Sequence, residues 1–503
     1  MMKKILFFTA CLAVQFSDAQ NIQDVVRVSS DEPIGTARYL AMSGAFTALG
    51  GDLSSVGINP ASSAVFLSGS GNVSLGILDK ANDSQYENRT ARGIDTDVAL
   101  NQAGGVFVFN NFNENSKWKK FTLGLNYDNT NNYDNFLTAN GTSNTSISNF
   151  FLSEAQGIPL DLLQLQGGET IADLYSFLGE TEGVTAQNAF LGYQGFLIDP
   201  LEDTPSNLVY TNAVNGNNFN QEYAKETSGY SGKYTLNVAA QYTDNFFFGV
   251  NLNTHTIEYR ERKTFREQNN TPNTSADFVL FEENLLSLGN GFSAQIGAIA
   301  KIKNNIRLGL SYETPTWYEI SEETTQYLRT VSESQNRDIR LDPGVINIFQ
   351  THQVKTPSKL QMGAAYIFGQ KGLISLDYSI KDYSGSTLEI ANNSAPFQEL
   401  NSEISNTLTS AASIKVGGEY RYKDMSFRAG ARLEESPYQD KAILDDLSGY
   451  SLGFGYNFGN YTFDLAYSFA EQDGSQILYN GLANGITTQN KQNNIIITLG
   501  FNL

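Results

Sequence analysis

Between Tyr450 and Phe458 every second residue is greasy. Tyr450, Leu452, Phe454, Tyr456 and Phe458 share one phase, and Ser451, Gly453, Gly455 and Asn457 the other. The rhythm resumes after Gly459-Asn460, with Tyr461, Phe463, Leu465, Tyr467 and Phe469 set against Thr462, Asp464, Ala466 and Ser468. The last segment repeats it with Ile495, Ile497, Leu499, Phe501 and Leu503. Successive side chains of an extended chain point to opposite faces, so each segment reads as a strand with one apolar and one polar side. Soluble sandwiches alternate too. What lipid contact adds is an unbroken apolar face with aromatic ends, and these segments have it.

Segments of this kind fall at 72–80, 101–112, 119–130, 231–243, 245–262, 287–303, 305–320, 356–368, 372–385, 410–423, 425–437, 447–458, 460–471 and 493–503, an even total of fourteen. Their connections sort by length. Thr243-Asp244, Asn304, Gly369-Gln370-Lys371, Asp424 and Gly459 mark tight turns. Residues 81–100, 131–230, 263–286, 321–355, 386–409 and 472–492 make long loops, with 438–446 shorter than the rest. Short turns on one side and long loops on the other distinguish an outer-membrane barrel, and closure removes the strand edges that lipid cannot satisfy. The expected fold is all-β: a 14-stranded antiparallel transmembrane barrel.

Composition agrees where the alternatives differ. The chain has 26 Tyr, 32 Phe, 44 Gly and only 11 Pro, yet its mean hydropathy is −0.30, as expected when apolar and polar residues alternate. No run reaches the length of a membrane helix. Lys3, Lys4 and the apolar stretch Ile5 to Val14 form a signal peptide over 1–19, with cleavage before Gln20. Cys11, the one cysteine, falls inside it, so the mature chain has no thiol, disulfide or cysteine metal site. The formal charge of −20 argues against a nucleic-acid partner and suits acidic, solvated loops.

A fourteen-stranded barrel leaves a lumen that wall side chains alone do not fill. Residues 20–71 precede the first strand, 72–503 form the barrel, and the earlier segment can fold up inside as a plug. It carries Gly44, Gly50, Gly51 and Gly57 for tight turns, small alanines for close packing, and Phe46, Leu49, Leu53, Val56, Ile58 and Phe66 for apolar surface. Gly35-Thr-Ala-Arg38, Met42-Ser-Gly-Ala-Phe46, Leu49-Gly-Gly-Asp52 and Asn59-Pro60-Ala61 resemble the hatch of the FadL/TodX family of long-chain fatty-acid and hydrocarbon transporters. Arg307-Leu-Gly-Leu-Ser-Tyr312, Thr314-Pro315, Thr356-Pro357, Ser436-Pro437 and Asp464-Leu-Ala-Tyr467 resemble its strands. The resemblance implies a hatch inside fourteen strands, external capture of a hydrophobic ligand, and a route through a gap in the wall near a kinked third strand. Segment 119–130 offers only Gly124 as a signal, so no gap is placed from the sequence.

The extracellular loop 131–230 is unusually apolar. Thr170-Ile-Ala-Asp173 reads as a capping box, followed by Ile171, Leu174, Tyr175 and Leu178 at helical spacing. Phe150, Phe151, Leu162, Leu163, Leu174, Phe190 and Phe196 either cap the barrel by packing on one another or line a groove that captures an acyl chain. Each buried methylene contributes about 0.8 kcal/mol, so such a ligand needs few polar contacts. A carboxylate head needs a cation. Arg307, Lys415, Arg421, Arg428 and Arg432 fall on the inward phase, either for that role or as wall bridges to Asp377, Glu419, Glu434 and Asp464. Asp128, Thr130, Asn132 and Asp134 have calcium-loop spacing, but Tyr133 stands where the turn needs glycine, and no metal is expected. His255 and His352 adjoin no nucleophile motif, so no enzyme activity and no cofactor are expected. The resulting expectation is a monomeric outer-membrane channel for passive uptake of fatty acids or related lipids. The alternatives are a haem receptor and a structural or adhesion barrel.

Overall fold

The computed structural model describes residues 21–272, 274–303 and 305–502. The signal peptide, Cys11, the turn residue Asn304 and Leu503 lie outside the described residues. Fourteen wall strands follow in chain order: β1 Ser70–Tyr86, β2 Arg89–Asn110, β3 Trp118–Asn132 (continued by Asn135–Ser143), β4 Phe219–Tyr242, β5 Phe246–Asn269, β6 Phe278–Ile302, and β7 Ile306–Glu313 (continued by Trp317–Ser332). The circuit goes on with β8 His352–Lys355 (continued by Lys359–Ile367), β9 Gly372–Asp382, β10 Ser410–Tyr422, β11 Met425–Glu434, β12 Leu447–Asn457, β13 Tyr461–Gln476 and β14 Ile486–Asn502. Neighbours pair antiparallel throughout, and β14 returns to β1 in register from Ser70↔Asn502 to Gln85↔Thr487. The wall is closed. Its two interior breaks, at 314–316 and 356–358, fall on Thr314-Pro315 and Thr356-Pro357, where proline cannot donate to a ladder.

Both sides of the wall keep the phase read from the sequence. Val238, Phe248, Val250, Ile296, Leu310, Ile374, Val416, Leu452 and Leu499 stand exposed on the outside. A continuous apolar belt of that size is stable against hydrocarbon and not against water. Aromatics gather at its rims; Trp118 meets Tyr242 edge-on with ring centroids 5.1 Å apart, beside Phe121. The inner face carries Asn237, Asn251, Gln295, Ser311 and Asp377, all buried.

Several strands run further than their sequence limits. Residues 81–100, read as a loop, form the far end of the β1–β2 hairpin, paired from Ser74↔Gln102 to Tyr86↔Arg89. Likewise the loop read over 131–230 contains the β3 continuation and the first turns of β4, paired from Asn135↔Thr227 to Ser143↔Phe219. Above the apolar belt both faces meet polar surroundings, so alternation fades while pairing continues.

Candidate functional site

The N-terminal segment occupies the bore in two parts. Helix α1 (Ile22–Ser29) starts with a reciprocal cap, in which the Asn21 side chain accepts from Asp24 N–H and Asp24 accepts from Asn21 N–H. Its Val25, Val26 and Val28 pack on Tyr133, Tyr259, Tyr318 and Ile320 of the wall. Arg27 stacks over Tyr259, 3.8 Å from the ring centroid, and pairs with Asp24 at 2.7 Å. An irregular stretch, 30–36, then leads to α2 (Ala37–Ala41), α3 (Leu53–Val56) and a 3-10 turn over Pro60–Val65. The sequence assigns 20–71 to the plug, with its motifs between Gly35 and Ala61; ahead of those motifs the chain threads upward, bringing Asn21 beside Val184 of the extracellular loop around one cavity.

The lower part has little regular structure, so its backbone groups need partners from elsewhere. Wall side chains supply them. Asn237 donates to Pro60 O, Asn251 to Val56 O and Gln295 to Ile58 O, at 2.8 to 2.9 Å. Ala37 N–H donates to Thr498 and Thr47 N–H to Asp377, both at 2.7 Å. Asn59 earns its place in the Asn-Pro-Ala motif, donating to Thr47 O and Ala298 O while accepting from Ala61 N–H. Gly44, Gly50 and Gly51 all take positive φ.

The wall meets this backbone with missing side chains. A Cβ on Gly249 or Gly297 would overlap Pro60 or Asn59, and one on Gly309 would overlap the Thr47 backbone. On the opposite wall a Cβ at Gly417 would lie 2.7 Å from Met42 Cβ, and one at Gly430 would lie 2.5 Å from the Met42 carbonyl carbon. By its spacing Gly453 is one more residue of the polar phase. In the structure it stands against Ala41. Only the partner's position reveals the function of such a glycine.

The five inward cations are all engaged. Arg428 pairs with Glu419 at 2.7 Å and Asp464 at 2.5 Å, and Arg421 joins Glu419 at 2.5 Å. Arg38 of the inner segment completes that cluster on Glu419 at 2.9 Å. Arg307 donates to Leu49 O, and Lys415 and Arg432 lie near Glu434 at 3.9 and 3.6 Å. The wall-bridge alternative therefore describes Arg421 and Arg428, while Arg307 serves the plug. Lys415 also lines a chamber.

The loop over the bore has a core of its own. Helices α4 (Ser148–Ala155), α5 (Ile171–Thr181) and α6 (Val184–Gln194) enclose Phe150, Phe151, Leu163, Leu174 and Phe190. Leu162 packs against that core, while Phe196 stays exposed beneath the Arg337 guanidinium. Phe151 meets Phe281 of β6 at 5.1 Å, so the cap is fastened to the wall. The capping box at Thr170 and Asp173 opens α5. Packing as a cap accounts for most of these residues.

Two cavities lie along the bore. One of about 260 Å³, under α6, is lined by Asn21, Arg27, Val184, Tyr259, Lys263 and Phe349. The second, about 250 Å³, surrounds residues 30–34 and contains Lys233, Lys359, Lys381 and Lys415. Helix α1 lines both, Arg27 at the upper and its C-cap residue Ser30 at the lower.

A seam interrupts the wall's hydrogen bonding. β2 pairs with β3 only from Gln102↔Asp128 to Asn110↔Lys120; beyond that β2 pairs with β1 alone, and the β3 continuation with β4 alone. Bulges sit at both corners, at Asn101 in β2 and Thr130 in β3. Both polar atoms of the buried Asn101 side chain lack a hydrogen-bond partner. The β1–β2 hairpin overlaps the displaced strand, with Asn82 donating to Phe136 O and Ser84 to Thr138 O, and Gly93 leaving room for Phe136. Outside, a crease of about 750 Å³ runs from Ile94 and Phe136 past Arg260 and Arg262 to Leu286 and Ile346. The Thr130 bulge arises from pairing with β4, far along the chain, so 119–130 carries no local mark of it.

One pairing invites an enzymatic reading. His255 Nε2 lies 2.9 Å from Ser293 Oγ, but the nearby carboxylate, Glu313, contacts the serine at 3.4 Å and does not orient the imidazole. The adjoining space is about 30 Å³, too small for an ester substrate. The calcium-spaced residues bond otherwise: Asp128 to Ser54 and Asn126, Asn132 to Asp97.

No protein-family model matches the chain, and no curated protein matches it. Solved structures do. The P. putida toluene transporter TodX aligns over 94% of this chain and 99% of its own, with a TM-score of 0.51 at 13% identity. A Pseudomonas aeruginosa FadL homologue aligns over the same shares, 94% and 99%, with a TM-score of 0.51 at 12% identity. A deltaS2 mutant of the TodX monoaromatic hydrocarbon channel reaches 0.53 at 13% identity, again over 94% and 99%. The shared property is the fold: a Gram-negative outer-membrane type of barrel, in which the hatch-like motifs of the sequence fill the lumen.

Proposed function

We propose that the protein is an outer-membrane channel through which hydrophobic small molecules enter passively, with long-chain fatty acids or related lipids as the ligand class. One observation carries the reading. A barrel with an apolar exterior is stoppered by its own leading segment, yet keeps two cavities against that segment beneath an apolar cap. A structural barrel has no use for such spaces. The solved hydrocarbon channels of the same fold support hydrophobic small molecules as the cargo. Capture occurs at the cap or at the crease beside the seam, and the inner segment gates passage. Downstream consumption of the ligand supplies the driving force.

The test is labelled fatty-acid uptake by cells lacking the gene, complemented with the full chain or with a chain lacking 35–66. Complementation should restore uptake, and loss of the plug should abolish gated, saturable entry. Equal uptake by the deletion strain and its fully complemented partner would refute transport.

A further inference from the structure

Four lysines face the chamber around residues 30–34, and they divide into two kinds. Lys233 and Lys415 each have a wall carboxylate nearby, Glu313 at 3.8 Å and Glu434 at 3.9 Å. Lys359 and Lys381 instead both reach Oδ2 of Asp31, at 3.4 and 2.7 Å, and Asp31 belongs to the inner segment. Their shared counter-charge therefore leaves whenever that segment moves.

Asp31 is also more open to the chamber than the carboxylate at the centre of the arginine cluster. Its side chain is 46% exposed to the chamber, whereas Glu419, clamped by three arginines, is 0% exposed. It sits on irregular chain between α1 and α2, fastened by the Lys381 bond to Ser29 O and by Glu32 to Lys80 at 3.0 Å. Pro33, Ile34, Ile58, Leu444 and Leu447 line the same chamber, so apolar wall stands next to the paired ammonium groups.

We propose that Lys359 and Lys381 form a site for the acidic head of an incoming amphiphile, occupied in the resting protein by the Asp31 carboxylate as a built-in stand-in. An entering carboxylate takes over both lysines, Asp31 is released, and segment 30–34 loses its hold on β8 and β9. The ligand thereby loosens the plug that blocks its own path. Two converging ammonium groups pair charge to charge with a carboxylate, whereas a neutral hydroxyl on a chain of equal length only accepts a weaker hydrogen bond from them. This rests on the channel reading above and adds to it the chemistry of the ligand head.

The experiment uses the full-length protein in lipid nanodiscs, with decanoate and decanol as probes at neutral pH. Calorimetry should give decanoate about tenfold tighter than decanol, a difference of about 1.4 kcal/mol. Asp31→Asn should tighten decanoate further and leave decanol unchanged; Lys359→Gln with Lys381→Gln should erase the preference. Decanoate, unlike decanol, should increase amide exchange across 22–34. Equal affinity for acid and alcohol in the unmodified protein would overturn the site, as would an Asp31→Asn protein with unaltered decanoate affinity, a variant that leaves the lysines in place. Flux into reconstituted vesicles separates the two readings. Alcohol entry without acid preference in binding removes the site and keeps the channel; acid preference without entry of either probe keeps the site and removes the channel.

Discussion

The two halves of the inner segment are held by opposite means. Residues 35–66 press their backbone into gaps left by wall glycines and exchange hydrogen bonds with strands all round the barrel. Residues 21–34 rest on one valine face of a single helix, on carboxylates that reach across to lysines, and on a few hydrogen bonds with Thr130, Asn131 and Lys381 gathered at 29–32. Close backbone contact with dispersed hydrogen bonds fails only if many partners leave together. An apolar face and a few ion pairs can be exchanged for those of a ligand. The comparison divides the plug into a fixed lower body and an exchangeable upper arm.

Refilling the glycine gaps should have the largest effect. Gly297→Val with Gly309→Val overpacks two contacts, at about 1–3 kcal/mol each, and should undock the lower body. The measurement is sensitivity of cells to a large hydrophilic antibiotic, expected to rise sharply. On the arm, Val25→Ala removes buried methyl groups, costs about 2 kcal/mol, and should speed amide exchange over 22–29 without any antibiotic leak. Asn21→Ala removes the helix cap for about 1 kcal/mol and should fray only the first turn of α1. Leak from either arm variant would break the division.

Two further outcomes are expected to be small. Ser43 and Ser451 approach to 2.8 Å between hydroxyl oxygens, so cysteines at both positions can lock the lower body to β12. Uptake should stay within about twofold on oxidation, because the arm is the part that moves. A collapse of uptake, restored by reductant, would place the gate in the lower body. Burial alone would raise the Asp31 carboxyl, but Lys381, Lys359 and Lys233 outweigh it and hold the group well below the usual carboxylate range. Its contribution is therefore complete above the ordinary carboxylate pKa and lost only as pH falls below that. Protection over 30–34, with the base-catalysed rise of intrinsic amide exchange divided out, should match at pH 7 and pH 6.

The barrel was legible because period-two alternation is a local property. β12 and β13 could be drawn residue by residue from Tyr450 to Phe469. The hatch motifs were legible for a similar reason, since Asn59-Pro60-Ala61 stands together in the chain. What stayed hidden is non-local. Lys359 and Lys381 sit on adjacent strands more than 300 residues from Asp31, and no spacing rule joins them. The seam depends on which strands fail to pair beyond Asn101, and a missing ladder leaves no mark in either partner. The wall glycines matched their expected phase but gave no hint of what would press against them.

Those same contacts tie two distant parts of the sequence to each other. The inner segment directly precedes β1, and its backbone fits against strands from β5 to β12 with clearances smaller than a methyl group. Segment and wall are therefore cut to one another like key and lock, and a residue enlarged on either side needs a matching loss on the other.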